Sequence, residues 1–96
     1  DKGGIFWQQK DNNTLIVNWN DKPSEILRAG VNYPYLSKSA LANTRTPGGH
    51  PEGYLEAFAN IYRNFAFAIQ AQNANKKHDF ETYDFPEIEE GIRGML

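Results

Sequence analysis

The sequence predicts an α+β fold, with a three-stranded antiparallel meander packed on one long helix. Three observations carry this expectation. Apolar residues alternate with period two in three short early segments, each followed by turn residues. After Pro51 they recur instead at helical spacing over about twenty residues. The chain is 40% apolar and 14% aromatic, which suits a packed core and argues against disorder.

The first strand spans residues 4–10, where Ile5, Trp7 and Gln9 alternate with Phe6, Gln8 and Lys10. Asp11, Asn12 and Asn13 form a turn, because Asn and Asp tolerate left-handed backbone. The second strand spans 14–19, with Leu15, Val17 and Trp19 on one face and Ile16 and Asn18 on the other. A turn over Asn20, Asp21, Lys22 and Pro23 leads to the third strand, 24–29, with Ile26 and Leu27 on opposite faces. Large apolar residues thus lie on both faces, whereas a sheet with one wet face alternates more cleanly. One face is expected to pack on the helix. The other is expected to pack on a further part of a longer chain or on a second subunit; the alternative is a scatter of surface hydrophobics.

Residues 31–49 read as a loop with Pro34 and Pro47, interrupted by a short helix that Ser37 caps. The stretch Pro47-Gly48-Gly49-His50-Pro51-Glu52-Gly53-Tyr54 then leads into the long helix, expected over about 51–74. Pro51 suits a first helical turn, and Glu52 there complements the helix dipole. His50 is held between two glycines and a proline, either as a site or as a helix entry. Tyr54, Phe58, Ile61, Phe65 and Ile69 define the buried face of that helix. Phe67 falls instead among Glu56, Asn60, Arg63 and Asn64, and is read as a contact to another domain or partner, or as a lone exposed ring. Lys76, Lys77 and His78 end the helix where cations suit the dipole. Pro86 and the acidic Glu87, Glu89 and Glu90 open an amphipathic helix over 88–96 that stops without a cap.

Several chemistries are excluded or disfavoured. The net charge of −2 gives no reason to expect nucleic acid or a membrane surface as partner. Without cysteine there is neither a disulfide framework nor a thiolate metal site. His50 and His78 are the only histidines, and neither has metal-ligand spacing; Asp79, Glu81 and Asp84 near His78 follow no ligand pattern. Ser24, Ser37 and Ser39 read as turn and capping residues, not nucleophiles. Gly48 and Gly49 are too short a run for a phosphate loop. Glu52 near His50 is a candidate for orienting the imidazole, although capping explains it equally well. Because residue 1 is Asp and both ends are apolar, the chain is expected to be part of something longer.

Three segments carry a resemblance. They are Gly48-Gly49-His50-Pro51-Glu52-Gly53-Tyr54 with Ala57-Phe58 and Ile61-Tyr62-Arg63; Tyr83-Asp84-Phe85-Pro86; and Glu89-Glu90-Gly91-Ile92-Arg93-Gly94. In this order and spacing they resemble the C-terminal part of Gfo/Idh/MocA-type oxidoreductases, the glucose–fructose oxidoreductase and inositol dehydrogenase family. Gly4-Ile5-Phe6-Trp7-Gln8-Gln9, residues 15–19 and Asp21-Lys22-Pro23 look like the late strands of that family's second domain.

The resemblance implies that residues 1–96 are a partial C-terminal α/β substrate and oligomerisation domain, lacking the N-terminal dinucleotide-binding domain. It implies a parent that uses NAD or NADP on a sugar, cyclitol or related polyol, is cytoplasmic, and forms a homo-oligomer through the open sheet. The family's glycine-rich cofactor motif, Glu-Lys-Pro lysine and catalytic histidine region have no counterpart here; Asp21-Lys22-Pro23 is a turn between late strands, not the Glu-Lys-Pro motif. The chain alone is therefore expected to be inactive, with no catalytic, cofactor-binding or metal-binding residue of its own. His50 is the candidate substrate contact, with Glu52 and Tyr54 behind it. The rival expectation is a stand-alone module that binds a protein or a small molecule without catalysis.

Overall fold

The computed structural model describes all 96 residues. It divides into two compact units, residues 1–53 and 54–96.

The first unit holds the meander. Strands β1 (Gly3–Gln8), β2 (Asp11–Trp19) and β3 (Glu25–Arg28) pair antiparallel in the order β1-β2-β3. The register sets Phe6, Ile16 and Ile26 side by side on one face, and Ile5 with Val17 and Trp7 with Leu15 and Leu27 on the other. Both faces are apolar, as the alternation predicts, and both stand open: Ile5 is 77% exposed and Ile26 is 66% exposed. The turn between β1 and β2 lies at Gln9 and Lys10, not at residues 11–13. Asp11, Asn12 and Asn13 instead begin β2 opposite a break in register at Trp7 and Gln8. Their tolerance of irregular backbone is used for a bulge, a feature that bends a strand and re-aims its side chains.

The outer edge of β3 is not left bare. Tyr35 Oη accepts from the Arg28 N–H at 2.8 Å and donates to the Arg28 carbonyl at 2.5 Å. One phenol thus satisfies two groups that would otherwise invite another strand. Ser37 caps the short helix α1 (Lys38–Ala42), its hydroxyl accepting from the Ala40 N–H at 3.1 Å. That agrees with the expectation from sequence.

The second unit is built on α2 (Tyr54–Asn73), which begins three residues later than expected. Its end is set by Asn75, whose φ of 54° lies in the left-handed region. The Lys76 N–H then bonds the Ala71 carbonyl at 2.8 Å, and the Asn75 N–H bonds the Gln72 carbonyl at 3.1 Å. This is a Schellman closure, with Asn where Gly is commonest. The last helix, α3 (Ile88–Met95), carries Glu89 and Glu90 in its first turn, and Glu90 Oε2 accepts from the Glu87 N–H at 2.8 Å.

The buried face of α2 is not the predicted one. Tyr54, Phe58, Ile61, Phe65 and Ile69 are all exposed, whereas Asn64 is only 2% exposed. Residues 78–86 fold over the side that carries Asn64 and Phe67. Asn64 Nδ2 donates to the Asp84 carbonyl at 2.7 Å, and Asn64 Oδ1 accepts from Arg63 Nε and Nη2 at 3.1 and 3.0 Å. Phe67 meets Tyr83 edge-on at 5.1 Å, and Phe85 meets Phe65 edge-on at 5.6 Å. Phe67 is therefore a contact within the unit, not a free handle. The expectation failed because periodicity finds the apolar stripe, while a buried amide with good partners defines the covered side here.

Nowhere does an apolar side chain become fully buried; Asn64 and Thr82 are the buried side chains with polar character. The surface is correspondingly large, 7754 Å². A folded chain of this mass usually exposes roughly 5,600 Å², and two separate bodies of these sizes about 6,700 Å².

Two outcomes are expected. Asn64→Ala removes a buried bridge and strands its partners, so it should cost about 1–3 kcal/mol in denaturant unfolding; a loss under about 0.5 kcal/mol would contradict the bridging role. The 96-residue chain on its own should self-associate through its uncovered apolar faces, and light scattering that shows a clean monomer at high concentration would count against this.

Candidate functional site

The loop that carries His50 is fixed by hydrogen bonds, beginning with Glu52. Asn12 Nδ2 donates to the Glu52 carbonyl at 2.5 Å. The Asn13 amide, in the orientation that satisfies both its ends, donates to that carbonyl at 3.3 Å and accepts from the Glu52 N–H at 3.2 Å. The bulged start of β2 thus grips the backbone of residue 52. The Glu52 carboxylate faces the other way, accepting from the Arg45 N–H at 3.0 Å and pairing with Arg45 Nη1 at 3.7 Å.

Glu52 therefore does not stand in the first turn of α2, and it does not orient His50. The first-turn acid is Glu56. Pro51 and Glu52 precede the helix because side-chain bonds from β2 hold residue 52 outside it.

Upstream, the Val31 N–H bonds the Thr46 carbonyl at 3.0 Å, and the Gly48 N–H bonds Asn32 Oδ1 at 2.8 Å. Glycine is required at the crossing of these two segments. A Cβ on Gly30 would lie 2.5 Å from the Gly48 nitrogen, and a Cβ on Gly48 would collide with the Tyr33 phenol. Gly49 has φ +86°, which an L side chain rarely adopts. Then the His50 N–H bonds the Pro47 carbonyl at 3.2 Å, and Thr46 Oγ1 donates to the His50 carbonyl at 2.6 Å. The backbone of His50 is pinned from both sides while its imidazole is exposed. Such a ring is available to donate to or accept from a ligand oxygen. Tyr54, at the start of α2, is 67% exposed.

Beside this loop a cleft of about 240 Å³ opens where β2 and β3 meet residues 49–51. Asp11, Thr14 and Arg28 line it on the strand side, and Gly49 and Pro51 on the loop side. Thr14 and Arg28 are cross-strand partners, and Thr14 Oγ1 donates to Asp11 Oδ1 at 2.9 Å. The residues that sequence reasoning missed are Asn12, Asn13, Asn32, Arg28 and Tyr35. The adjacent asparagines are a readable signal for irregular backbone, but not for the segment they would hold.

The second histidine is used structurally. His78 Nε2 lies 2.8 Å from the Tyr83 carbonyl, and its ring meets Phe80 edge-on at 4.6 Å. Asp79 Oδ1 accepts from the Thr82 N–H at 3.1 Å. The carboxylates of Glu87, Glu89 and Glu90 lie within 4.8 Å of one another but are exposed. They suit the positive end of α3, and Glu90 already bonds backbone there.

Comparison with known proteins bears out the family resemblance. No family model matches the chain. It is 35% identical over 94 residues to an uncharacterised oxidoreductase of Bacillus subtilis, YfiI, a match that covers 98% of this chain and 23% of that protein. An oxidoreductase structure from Sinorhizobium meliloti is 41% identical with a TM-score of 0.79, over 98% of this chain and 25% of that one. A structure of an inositol dehydrogenase homolog from Azotobacter vinelandii, complexed with NADH and myo-inositol, is 27% identical with a TM-score of 0.70, again over 98% of this chain and 25% of that one. The chain thus matches oxidoreductases, an inositol dehydrogenase homolog among them, in sequence and fold, and spans about a quarter of their length. No helix of the chain is long and apolar enough to cross a membrane.

Glu52→Ala should loosen the loop by about 1 kcal/mol through loss of the Arg45 N–H bond, while Glu52→Gln, which keeps an acceptor, should cost less. Faster amide exchange at Arg45 in the alanine variant alone is the expected signature; equal exchange in both would assign the effect to the ion pair.

Proposed function

We propose that this chain is the C-terminal, substrate-side part of an NAD-dependent oxidoreductase that acts on a sugar, cyclitol or related polyol. The observation that carries the reading is the match over 98% of the chain to oxidoreductases four times its length. The relative crystallised with NADH and myo-inositol supports both the cofactor and the substrate class. On this reading a separate dinucleotide-binding domain supplies the cofactor site and the hydride chemistry. This chain supplies wall and interface. The open apolar sheet is the surface through which the parent forms a homo-oligomer, and the uncovered side chains there support that assignment.

His50 is the substrate contact in this proposal. Its backbone is fixed by Pro47 and Thr46, and its imidazole is exposed, a combination that pre-organises a ring for a substrate hydroxyl. Tyr54 and Glu52 hold lesser places: Tyr54 is open to a ligand, while the Glu52 carboxylate is committed to Arg45 and shapes the loop. A stand-alone binding module is a poorer fit, because such a module covers its own apolar surface.

The full-length protein should reduce NAD with a cyclitol or sugar, and the 96-residue chain should neither turn over nor bind NADH. His50→Ala in the full-length protein should lower kcat/KM by about tenfold or more, the loss of one or two ligand hydrogen bonds, with the melting temperature nearly unchanged. A large melting-temperature loss with normal kinetics per folded molecule would make His50 a structural residue instead.

A further inference from the structure

On its strand side, the cleft between the strand ends and the histidine loop is built from residues that the motifs did not point to. We propose that it binds one edge of a neutral polyhydroxylated ring, with Arg28 donating to ring hydroxyl oxygens and Asp11 accepting from ring hydroxyls. The proposal rests on the functional reading above and adds to it the residues that choose the substrate.

A hydroxyl both donates and accepts, so a vicinal diol is matched by a donor fork beside an acceptor. Arg28 offers donors only and Asp11 acceptors only. Asp11 commits Oδ1 to Thr14 and keeps its second oxygen. One cation and one anion give the lining no net charge, and Asp11 repels a carboxylate or phosphate that Arg28 alone would attract. Ala29 and Pro51 add small apolar patches suited to ring C–H groups.

The cleft volume of about 240 Å³ lies below the roughly 300–1,000 Å³ of pockets for drug-sized ligands. It suits one ring of a small ligand.

The backbone under Arg28 is clamped on both polar groups by Tyr35 Oη. Glu52, just beyond Pro51, is gripped by Asn12 and Asn13. Both walls are therefore set before a ligand arrives, which lowers the ordering cost of binding. Gly49 and Pro51 flank His50, so the cleft adjoins the residue already proposed to touch substrate.

The test uses the full-length protein, NAD and a panel of neutral cyclitols and hexoses that includes myo-inositol, with glucuronate as the acidic comparison. Arg28→Met and Asp11→Asn should each raise KM for the best neutral substrate about tenfold, the effect of one lost charge-assisted bond. In both, kcat should stay within about twofold and the melting temperature should hold. Asp11→Asn should in addition improve the use of glucuronate relative to the neutral ring. Wild-type KM values in both folded variants would overturn the cleft proposal and leave the polyol reading intact. No turnover of any panel member by the wild type would overturn both.

Discussion

With no apolar side chain fully withdrawn from water, this chain cannot fix its loops by burial. It fixes them by hydrogen bonds from side chains to distant backbone. Asn12 and Asn13 reach residue 52, Asn32 reaches Gly48, Tyr35 reaches Arg28, and Asn64 reaches Asp84. A single such bond contributes only about 0.5–1.5 kcal/mol net, but leaving a buried partner unmade costs more. Bonds of this kind therefore specify where a segment lies more than they stabilise the whole. In the first unit their effect is concentrated around the histidine loop. The sheet provides a frame, and the polar residues at its end decide which backbone is held against it.

Sequence reasoning recovered what depends on periodicity. Three strands, their order, the two-sided apolar sheet, the Ser37 cap and the final acidic helix start all follow from alternation or local capping rules. It failed where a polar side chain acts at long range. Asn12 and Asn13 carry the composition of a turn, and the same composition also suits the irregular start of a strand. Only the presence of Glu52 forty residues on decides between them, and nothing local encodes that pairing. The same holds for Glu52, whose position after a proline suits a helix start; its carboxylate goes instead to Arg45. The turn around His50 was legible because the bonds of its own backbone are local, to Pro47 and Thr46.

The long helix shows the limit most clearly. Its apolar stripe is real, yet the chain covers mainly the side of Asn64 and Phe67 and meets the stripe at Phe65. Asn64 pairs with the backbone of Asp84, and Phe67 with Tyr83 and Phe65 with Phe85 make edge-on ring contacts between the same segments. The spacing of apolar residues reports which side of a helix prefers burial, but not which partner provides it. When the partner is not among the residues at hand, the stripe remains open and a satisfied amide becomes the most buried group.

These features divide the chain's surface by chemistry. The sheet faces and the stripe of α2 are apolar and uncovered, while the cleft beside His50 is polar and tightly braced. The exposed area exceeds by about 1,000 Å² what even two separate bodies of these sizes would show, an excess approaching that of a standard protein interface. The apolar part of that surface is costly to leave in water, at roughly 25 cal/mol per Å². The braced cleft has no such cost, because its charged and hydroxyl groups are well solvated when empty. The apolar faces are thus the part of the chain with most to gain from a permanent neighbour. The cleft can stand empty without that cost, which suits the exchange of a small polar ligand proposed for it.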